Sequence, residues 1–242
     1  MTLQGKYVLV LGLGESGLAS ALWCARQGAR VRVADTRVAP PYLEEFRRRV
    51  ASAEFCAGEF DKALLENIDL LVLSPGLSGG LMVVIHARAA GIPVVGEIEL
   101  FARALRSLNS AAAILAITGT NGKTTTTALT GHLLRATGKT VGVAGNISPA
   151  ALTALMDAQD ANALPRIWVL ELSSFQLETT ATLWPAAATV LNISDDHLDR
   201  YIDLDEYASA KARVFQSAEG APGVQVLNRG DARVRRMALA DR

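Results

Sequence analysis

Residues 114–134 read ILAITGTNGKTTTTALTGHLL, and this stretch sets the architecture of the second half of the chain. The apolar run predicts a buried strand, a glycine-rich loop follows it, and the remaining residues are typical of a helix. Backbone N–H groups of such a loop, at the beginning of a helix, form a concave site for phosphate. Lys123 adds a mobile positive charge, and the hydroxyl of Thr124 is suited to hold Mg²⁺.

The predicted loop is a variant of the common phosphate loop. The pattern GxxxxGK[ST] requires a first glycine at position 117, which is Ile117 here, and the glycine lies instead at Gly119. The alternative interpretation is an ordinary strand-to-helix turn. The residues predicted to bind the phosphates of ATP are Gly119, Thr120, Asn121, Gly122, Lys123, Thr124 and Thr125.

Strand and helix patterns alternate on both sides of this loop. Strands are predicted near residues 7–11, 31–34, 70–73, 93–95, 114–117, 140–143, 167–172, 188–193 and 224–227, and a helix near residues 97–107. Short connections between alternating elements indicate parallel sheets. We therefore expect an α/β protein with a Rossmann-like domain at residues 1–108 and a P-loop mononucleotide-binding domain with a mostly parallel sheet at residues 109–242. The predicted boundary lies at residues 107–111.

Composition narrows the function classes. Twenty-four Lys and Arg residues balance twenty-four Asp and Glu residues, so no net charge favours nucleic acid or an anionic membrane as a partner. Apolar runs such as residues 111–117 are far shorter than a membrane span. Two cysteines are too few for a disulfide framework, and no signal peptide precedes the first strand. We expect a cytoplasmic monomer that binds neither nucleic acid nor membrane.

A second glycine cluster follows the first predicted strand. Residues 12–17 read GLGESG, a GxGxxG pattern, and Asp35 ends the next strand about 20 residues later. Gly14 would allow a pyrophosphate to approach the backbone, and Asp35 could accept a hydrogen bond from a ribose hydroxyl. The alternatives are a structural glycine turn and an Asp35 that only begins the following turn.

Acidic residues end two later strands. Glu171 terminates a buried apolar run, and the segment 194–199, SDDHLD, follows another. If both strands lie parallel to the strand of the phosphate loop, these residues emerge at one edge of the sheet. A carboxylate at the end of a buried strand is costly unless it is paired, so Glu171 is a candidate Mg²⁺ ligand, with a solvated strand end as the alternative.

These motifs together resemble the Mur ligases of bacterial peptidoglycan synthesis. The resemblance rests on GTNGKTT at residues 119–125, GNI at 145–147, ELSSFQLE at 171–178 and NISDDHLDRY at 192–201. It extends through GLGESG, DTR at 35–37, SPG at 74–76 and GEIELF at 96–101, and so covers the whole chain.

The resemblance implies an ATP-dependent amide ligase that adds D-glutamate to UDP-N-acetylmuramoyl-L-alanine through an acyl phosphate. It implies that Lys123 holds the β and γ phosphates, that Thr124 and Glu171 bind a first magnesium, and that His197 binds a second. It also implies that Lys211, which in isolation is typical of a solvated helix lysine, is carbamylated and becomes a metal ligand. The implied substrate-binding residues are Gly14, Glu15, Ser16, Asp35, Thr36, Arg37, Gly76, Asn146, Ser173 and Gln176.

The resemblance further implies a third, carboxyl-terminal domain that binds the amino acid, whereas the sequence ends at Arg242. We therefore expect this chain by itself to be truncated and not to complete ligation. Residues 77–85 also lack the proline and polar pattern expected after Gly76. Three alternatives stay open: another amide ligase, such as a folylpolyglutamate synthase or the Mur enzyme that adds L-alanine; an NAD-dependent dehydrogenase; and a non-catalytic nucleotide-binding module.

Overall fold

The computed structural model of the chain describes residues 2–108, 111–196, 200–216 and 223–239. Its contacts divide the chain into two compact units, Met1–Leu100 and Phe101–Arg242. Each unit is built on one sheet of five strands, and every pairing between strands is parallel. Within the described ranges, no helix is both long enough and apolar enough to cross a membrane.

The first unit has the strand order β3-β2-β1-β4-β5. Its elements are β1 (Tyr7–Leu11), α1 (Glu15–Arg26), β2 (Arg30–Asp35), α2 (Leu43–Arg49), β3 (Glu54–Ala57), a 3₁₀ helix (Lys62–Leu65), β4 (Leu70–Leu73), α3 (Met82–Ala89), β5 (Val94–Val95) and the start of α4 (Glu97–Ser107). All five residues of central β1 are buried, as are all four of β4, which explains their continuous apolar sequence. The chain order reverses between β1 and β4, where such sheets open a crevice for ligands.

The second unit has the strand order β10-β9-β6-β8-β7. Its elements, after the rest of α4, are β6 (Ala113–Thr118), α5 (Lys123–Ala136), β7 (Val141–Gly145), α6 (Ala151–Asp160), β8 (Ile167–Glu171), α7 (Ser174–Glu178), β9 (Ala187–Val190), α8 (Leu204–Ala212), a 3₁₀ helix (Arg213–Phe215), β10 (Val224–Leu227) and α9 (Ala232–Arg235). Strand β6 lies between β8 and β9, so the carboxyl ends of these three parallel strands meet at one edge.

The predicted fold class is confirmed, but some local elements differ from the sequence predictions. Strand β3 and helices α2 and α3 were not predicted. Strand β3 lies at the sheet edge with no fully buried residue, and its apolar run is only three residues long. The strand expected at residues 188–193 ends at Val190. Leu191 still donates its N–H to Thr118 of β6, but its carbonyl and the N–H of Ile193 bond to the side chains of Asn228 and Asp231.

The division between the two compact units falls inside α4, between Leu100 and Phe101. Phe101, the first residue of the second unit, is fully buried, and its ring packs edge-on against Trp168 of the same unit at 5.1 Å between centroids. Arg106 of the same helix donates to the carbonyl of Thr182. The domain boundary at residues 107–111 stays a prediction.

Candidate functional site

The phosphate loop joins β6 to α5 in the predicted strand–loop–helix arrangement. Gly119 and Gly122 have φ angles of +148° and +79°, in the region that favours glycine. A Cβ on Gly119 would lie 3.0 Å from the Cβ of Leu191. Gly122 is the N-cap of α5 and supplies no side-chain cap, so the N–H groups of the first helical turn are available to an anion.

The side chain of Lys123 is hydrogen-bonded to the backbone of its own loop. Its Nζ donates to the carbonyl oxygens of Gly119, at 3.0 Å, and Thr120, at 2.8 Å. The ammonium therefore lies beside the backbone that would cradle a phosphate. Thr124 and Thr125, which follow in the first turn of α5, are exposed and reachable by a ligand.

The loop that follows β9 is hydrogen-bonded to the phosphate loop. Asn121 donates its N–H to Oδ1 of Asn192 at 2.8 Å, and Nδ2 of Asn192 donates back to the carbonyl of Asn121 at 3.1 Å. The N–H of Ser194 donates to Oγ1 of Thr120 at 3.1 Å, and the N–H of Thr120 donates to the carbonyl of Asn192 at 2.9 Å. The two loops thus form one hydrogen-bonded unit at the sheet edge.

Glu171 lies at the end of β8, paired in register with Ile117 of β6, shortly before the phosphate loop begins. Its side chain is 1% exposed, and Oε1 accepts a 2.8 Å hydrogen bond from Nδ2 of Asn146. Oε2 has no hydrogen-bond partner among the described residues. A buried carboxylate oxygen without a donor fits a cation ligand.

The described residues contain no group of three or more His, Cys, Asp and Glu side chains that could hold a metal ion. Proteins usually bind Mg²⁺ at phosphate sites with one or two carboxylates, and waters and phosphate oxygens complete the octahedron. Glu171 and Thr124 stay the predicted Mg²⁺ ligands. His197 lies outside the described residues.

Lys211 is buried in α8, with 1% of its surface exposed. Burial, together with the positive charge of Lys123, lowers the pKa of its amine to about 7, while Asp196 opposes this shift. Nζ lies 4.6 Å from the ring centroid of Tyr207, which is itself fully buried. Lys211 is therefore not the solvated helix lysine that its sequence context in isolation suggests.

Three predicted substrate-binding residues lie around the end of β8, where their side chains have local partners. Asn146 holds Glu171, as described above. Ser173 and Gln176 form a capping box at the start of α7: Ser173 N–H donates to Oε1 of Gln176 at 2.9 Å, and Gln176 N–H donates to Oγ of Ser173 at 3.2 Å.

The first unit has its own cleft, of about 390 Å³, at the carboxyl ends of β1, β2 and β4. All seven residues predicted there line it, namely Gly14, Glu15, Ser16, Asp35, Thr36, Arg37 and Gly76. A Cβ on Gly17 would lie 1.9 Å from the carbonyl oxygen of Gly12, so Gly17 allows the helix to pack against the strand. A Cβ on Gly14 would meet no neighbouring atom within 4 Å, so the backbone of Gly14 is open to a ligand.

Asp35 lines the cleft, and its carboxylate is also hydrogen-bonded within the protein. Its Oδ2 accepts the N–H of Leu13 at 2.8 Å, and the Arg37 side chain donates to both carboxylate oxygens. Burial raises the pKa of Asp35, but the hydrogen bonds from Arg37 and Leu13 outweigh burial and lower the pKa to about 2. The Arg37 side chain remains 54% exposed, so it presents a positioned positive charge at the cleft.

Sequence reasoning missed the residues that hold the loops in place. Asn192, Asn228 and Asp231 act through hydrogen bonds to backbone groups distant in sequence. The hydroxyl oxygen of Tyr207 lies 3.3 Å from Oγ1 of Thr120. The sequence signal that could have indicated them is the pair of polar residues Asn228 and Asp231, which follows the last predicted strand.

Family models match both halves of the chain. The model described as Mur ligase middle domain matches residues 117–241, and the model described as Mur ligase MurD-like, N-terminal domain, matches residues 6–96. Two curated relatives are both named UDP-N-acetylmuramoylalanine--D-glutamate ligase. The one from Aromatoleum aromaticum is 58% identical over 99% of this chain and 51% of its own length. The one from Ralstonia nicotianae is 58% identical over 98% of this chain and 48% of its own length.

The chain therefore spans about half the length of these curated relatives. Among solved structures, the UDP-N-acetylmuramate:L-alanyl-gamma-D-glutamyl-meso-diaminopimelate ligase from Neisseria meningitides matches with a TM-score of 0.60 and 20% identity, over 96% of this chain and 74% of that chain. This match supports the fold alone. Because the middle-domain model covers more than half of the 242 residues and a MurD-like model covers the part before it, the chain belongs to the Mur ligase family.

Proposed function

We propose that this chain supplies the nucleotide-binding and UDP-substrate-binding parts of an ATP-dependent ligase that adds D-glutamate to UDP-N-acetylmuramoyl-L-alanine in peptidoglycan synthesis. The observation that carries the proposal is the buried Glu171 carboxylate, with one oxygen lacking a donor among the described residues, beside the strand that enters the lysine-bearing phosphate loop. The names of the two curated relatives support this substrate pair.

In the proposed reaction, an oxygen of the alanyl carboxylate attacks the γ-phosphorus of ATP, and the bond from that phosphorus to the β-γ bridging oxygen breaks. The acyl phosphate then accepts the amine of D-glutamate at its carbonyl carbon, the amide bond forms, and phosphate leaves. Both the carboxylate and the triphosphate are anionic, so the site must supply positive charge that is already in position.

We assign that charge first to Lys123 and to the N–H groups at the beginning of α5. Lys123 exchanges its contacts with the carbonyls of Gly119 and Thr120 for the β and γ phosphate oxygens. Thr124 and Glu171 hold magnesium, which, when bound, neutralises phosphate charge and orients the γ-phosphoryl group. His197 is the proposed protein ligand of a second magnesium.

Lys211 is proposed to be carbamylated. Its uncharged amine attacks carbon dioxide, an N–C bond forms, and one proton is released to solvent. The modification replaces a buried ammonium, which the charge of Lys123 destabilises, by an anion that Lys123 attracts. The resulting carbamate oxygens become available as magnesium ligands.

The cleft of the first unit is proposed to hold the UDP portion of the substrate. The N-terminus of α1 begins at its edge with Gly14 as N-cap and no side-chain cap, so backbone N–H groups face an anion there. Arg37, held by Asp35, adds a directed guanidinium. Asn146, Ser173 and Gln176 of the second unit are proposed to contact the muramoyl and alanyl portion.

Calorimetric titration with a non-hydrolysable ATP analogue and Mg²⁺ tests the nucleotide assignment. We expect saturable binding that Lys123→Ala weakens by about two orders of magnitude, because the lysine is one of the charged contacts to the terminal phosphates. Lys139→Ala, an exposed lysine after α5, is the matched control and should bind as the unsubstituted chain does. Equal affinities of Lys123→Ala and Lys139→Ala would overturn the assignment.

A further inference from the structure

We propose that Asn228 and Asp231 form a clamp that positions residues 191–194 against the phosphate loop and thereby sets the affinity of the chain for magnesium-bound nucleotide, without either residue touching the nucleotide. This inference rests on the proposed function. Asn228 and Asp231 follow β10 and belong to none of the motifs described above.

One side of the segment 191–194 is bonded to the phosphate loop and the strand that leads to it. Leu191 donates its N–H to the carbonyl of Thr118 at 2.9 Å. Asn192 makes the paired contacts with Asn121, and Ser194 contacts Thr120. The position of this segment therefore fixes the backbone of two phosphate-loop residues.

The other side of the same segment is bonded to the clamp. Nδ2 of Asn228 donates to the carbonyl of Leu191 at 2.8 Å. The N–H of Ile193 donates to Oδ2 of Asp231, also at 2.8 Å. The clamp residues thus hold the carbonyl of Leu191 and the N–H of Ile193. Both groups lie beyond Val190, the last residue of β9.

The side chains of the clamp residues also accept local hydrogen bonds from the backbone. Oδ1 of Asn228 accepts the N–H of Gly230 at 2.9 Å. Oδ1 of Asp231 accepts the N–H groups of Arg233 and Val234 and so caps α9, whose Val234 is fully buried. Burial raises the pKa of Asp231, but the N–H groups of Ile193, Val234 and Arg233 lower it by more, so the carboxylate stays charged at neutral pH.

The two oxygens of Asp231 therefore have separate roles, since Oδ1 caps α9 and Oδ2 holds Ile193. Charge-assisted hydrogen bonds are about twice as strong as neutral ones, so the bond to Ile193 is a strong restraint on the segment. Removal of a residue that orients a metal ligand typically changes metal affinity by about 10- to 100-fold, and we expect a change near the lower end of this range for the clamp. Asn228 and Asp231 both act on this one segment.

The decisive variant is Asp231→Ser, because serine is a good N-cap for α9 but has no second oxygen for Ile193. We expect Asp231→Ser to bind MgADP about tenfold more weakly by calorimetry, and the Ile193 amide to exchange with solvent about tenfold faster by NMR. Asn228→Ala is the second variant and should weaken MgADP binding in the same direction. Asp205→Ala is the control, because Asp205 contacts α9 through an exposed ion pair with Arg233.

Wild-type MgADP affinity in Asp231→Ser, with unchanged exchange at Ile193, would overturn the clamp while leaving the proposed function intact. Equal weakening by Asp205→Ala would assign the effect to α9 in general and would also overturn it. If the unsubstituted chain does not bind MgADP, the proposed function fails and the inference fails with it; faster Ile193 exchange in Asp231→Ser would then show a structural restraint only.

Discussion

The carboxylate of Asp35 and the guanidinium of Arg37 form a two-pronged ion pair at the end of β2, with Nε–Oδ1 at 2.8 Å and the second nitrogen–Oδ2 contact at 2.7 Å. The two residues are separated by a single position, and Asp35 also accepts the N–H of Leu13 from the glycine loop. Asp35 therefore orders both the glycine loop and the arginine at the cleft, where the arginine side chain remains 54% exposed.

Replacing Asp35 by Asn should lower the stability of the protein and flatten its dependence on pH in acid. The folded-state pKa of about 2 lies below the ordinary value of 3.8, so the charged carboxylate contributes stability above the unfolded-state pKa and loses it as the pH falls toward 2. The linked contribution is about 2 kcal/mol at neutral pH.

Thermal unfolding of Asp35→Asn between about pH 2 and 5 measures this contribution. The exposed carboxylate of Asp205 provides the control, as Asp205→Asn should retain the wild-type pH profile. An Asp35→Asn profile as steep as that of the wild type would exclude Asp35 as the source of this pH dependence.

Glu171→Gln should separate stability from metal binding. Glutamine keeps an oxygen for Nδ2 of Asn146 and removes a buried charge, so the free energy of unfolding without ligand should not fall. The increase in melting temperature caused by an ATP analogue with Mg²⁺ should shrink, and addition of EDTA should then change it little. A full magnesium-dependent increase in Glu171→Gln would show that this carboxylate is not a ligand.

Gly145→Ala should be strongly destabilising. A Cβ at this position would lie 2.2 Å from the carbonyl oxygen of Glu171, at a φ angle of +118°. We expect a loss above about 3 kcal/mol in urea unfolding, because the contact is with backbone that also bonds Asn146.

Gly138→Ala is the matched comparison for Gly145→Ala. Gly138 has a φ angle of +77° but no atom within 4 Å of an added Cβ, so its substitution carries backbone strain alone. That strain should cost about 1–2 kcal/mol. Equal losses for the two variants would mean that the close approach at Glu171 relaxes without cost.

Lys211→Met should abolish carbamate formation. In the presence of ¹³C-labelled bicarbonate, the unsubstituted protein should show a carbamate carbon signal by NMR, because the Lys211 amine has a pKa of about 7 and is partly uncharged at neutral pH. The exposed Lys139 serves as the control, and Lys139→Met should keep the signal. A signal that persists in Lys211→Met would place the carbamate on another amine.

Local sequence was sufficient to predict the phosphate loop, the central strands and the α/β class. Glycines at 119 and 122 between an apolar run and a helix have few alternatives, because positive φ angles and close approach to Leu191 exclude larger residues. The same reasoning located the glycine loop of the first unit. Edge strand β3 was missed because it is only half-buried and its apolar run, three residues long, is too short to mark a strand.

The environment of the polar residues depended on contacts between segments far apart in the chain. The sequence around a helical lysine does not show whether its side chain is buried. The pKa of Lys211 is lowered by burial and by the charge of Lys123, which lies 88 positions before it. The contacts of Asp35 with Leu13 and Arg37 likewise appear only in the structure, and its role in substrate binding stays a prediction. The chain's periodicity and glycines specify where strands end, since these are short-range steric effects; which polar groups face each other at those ends follows from the order of strands in the sheet.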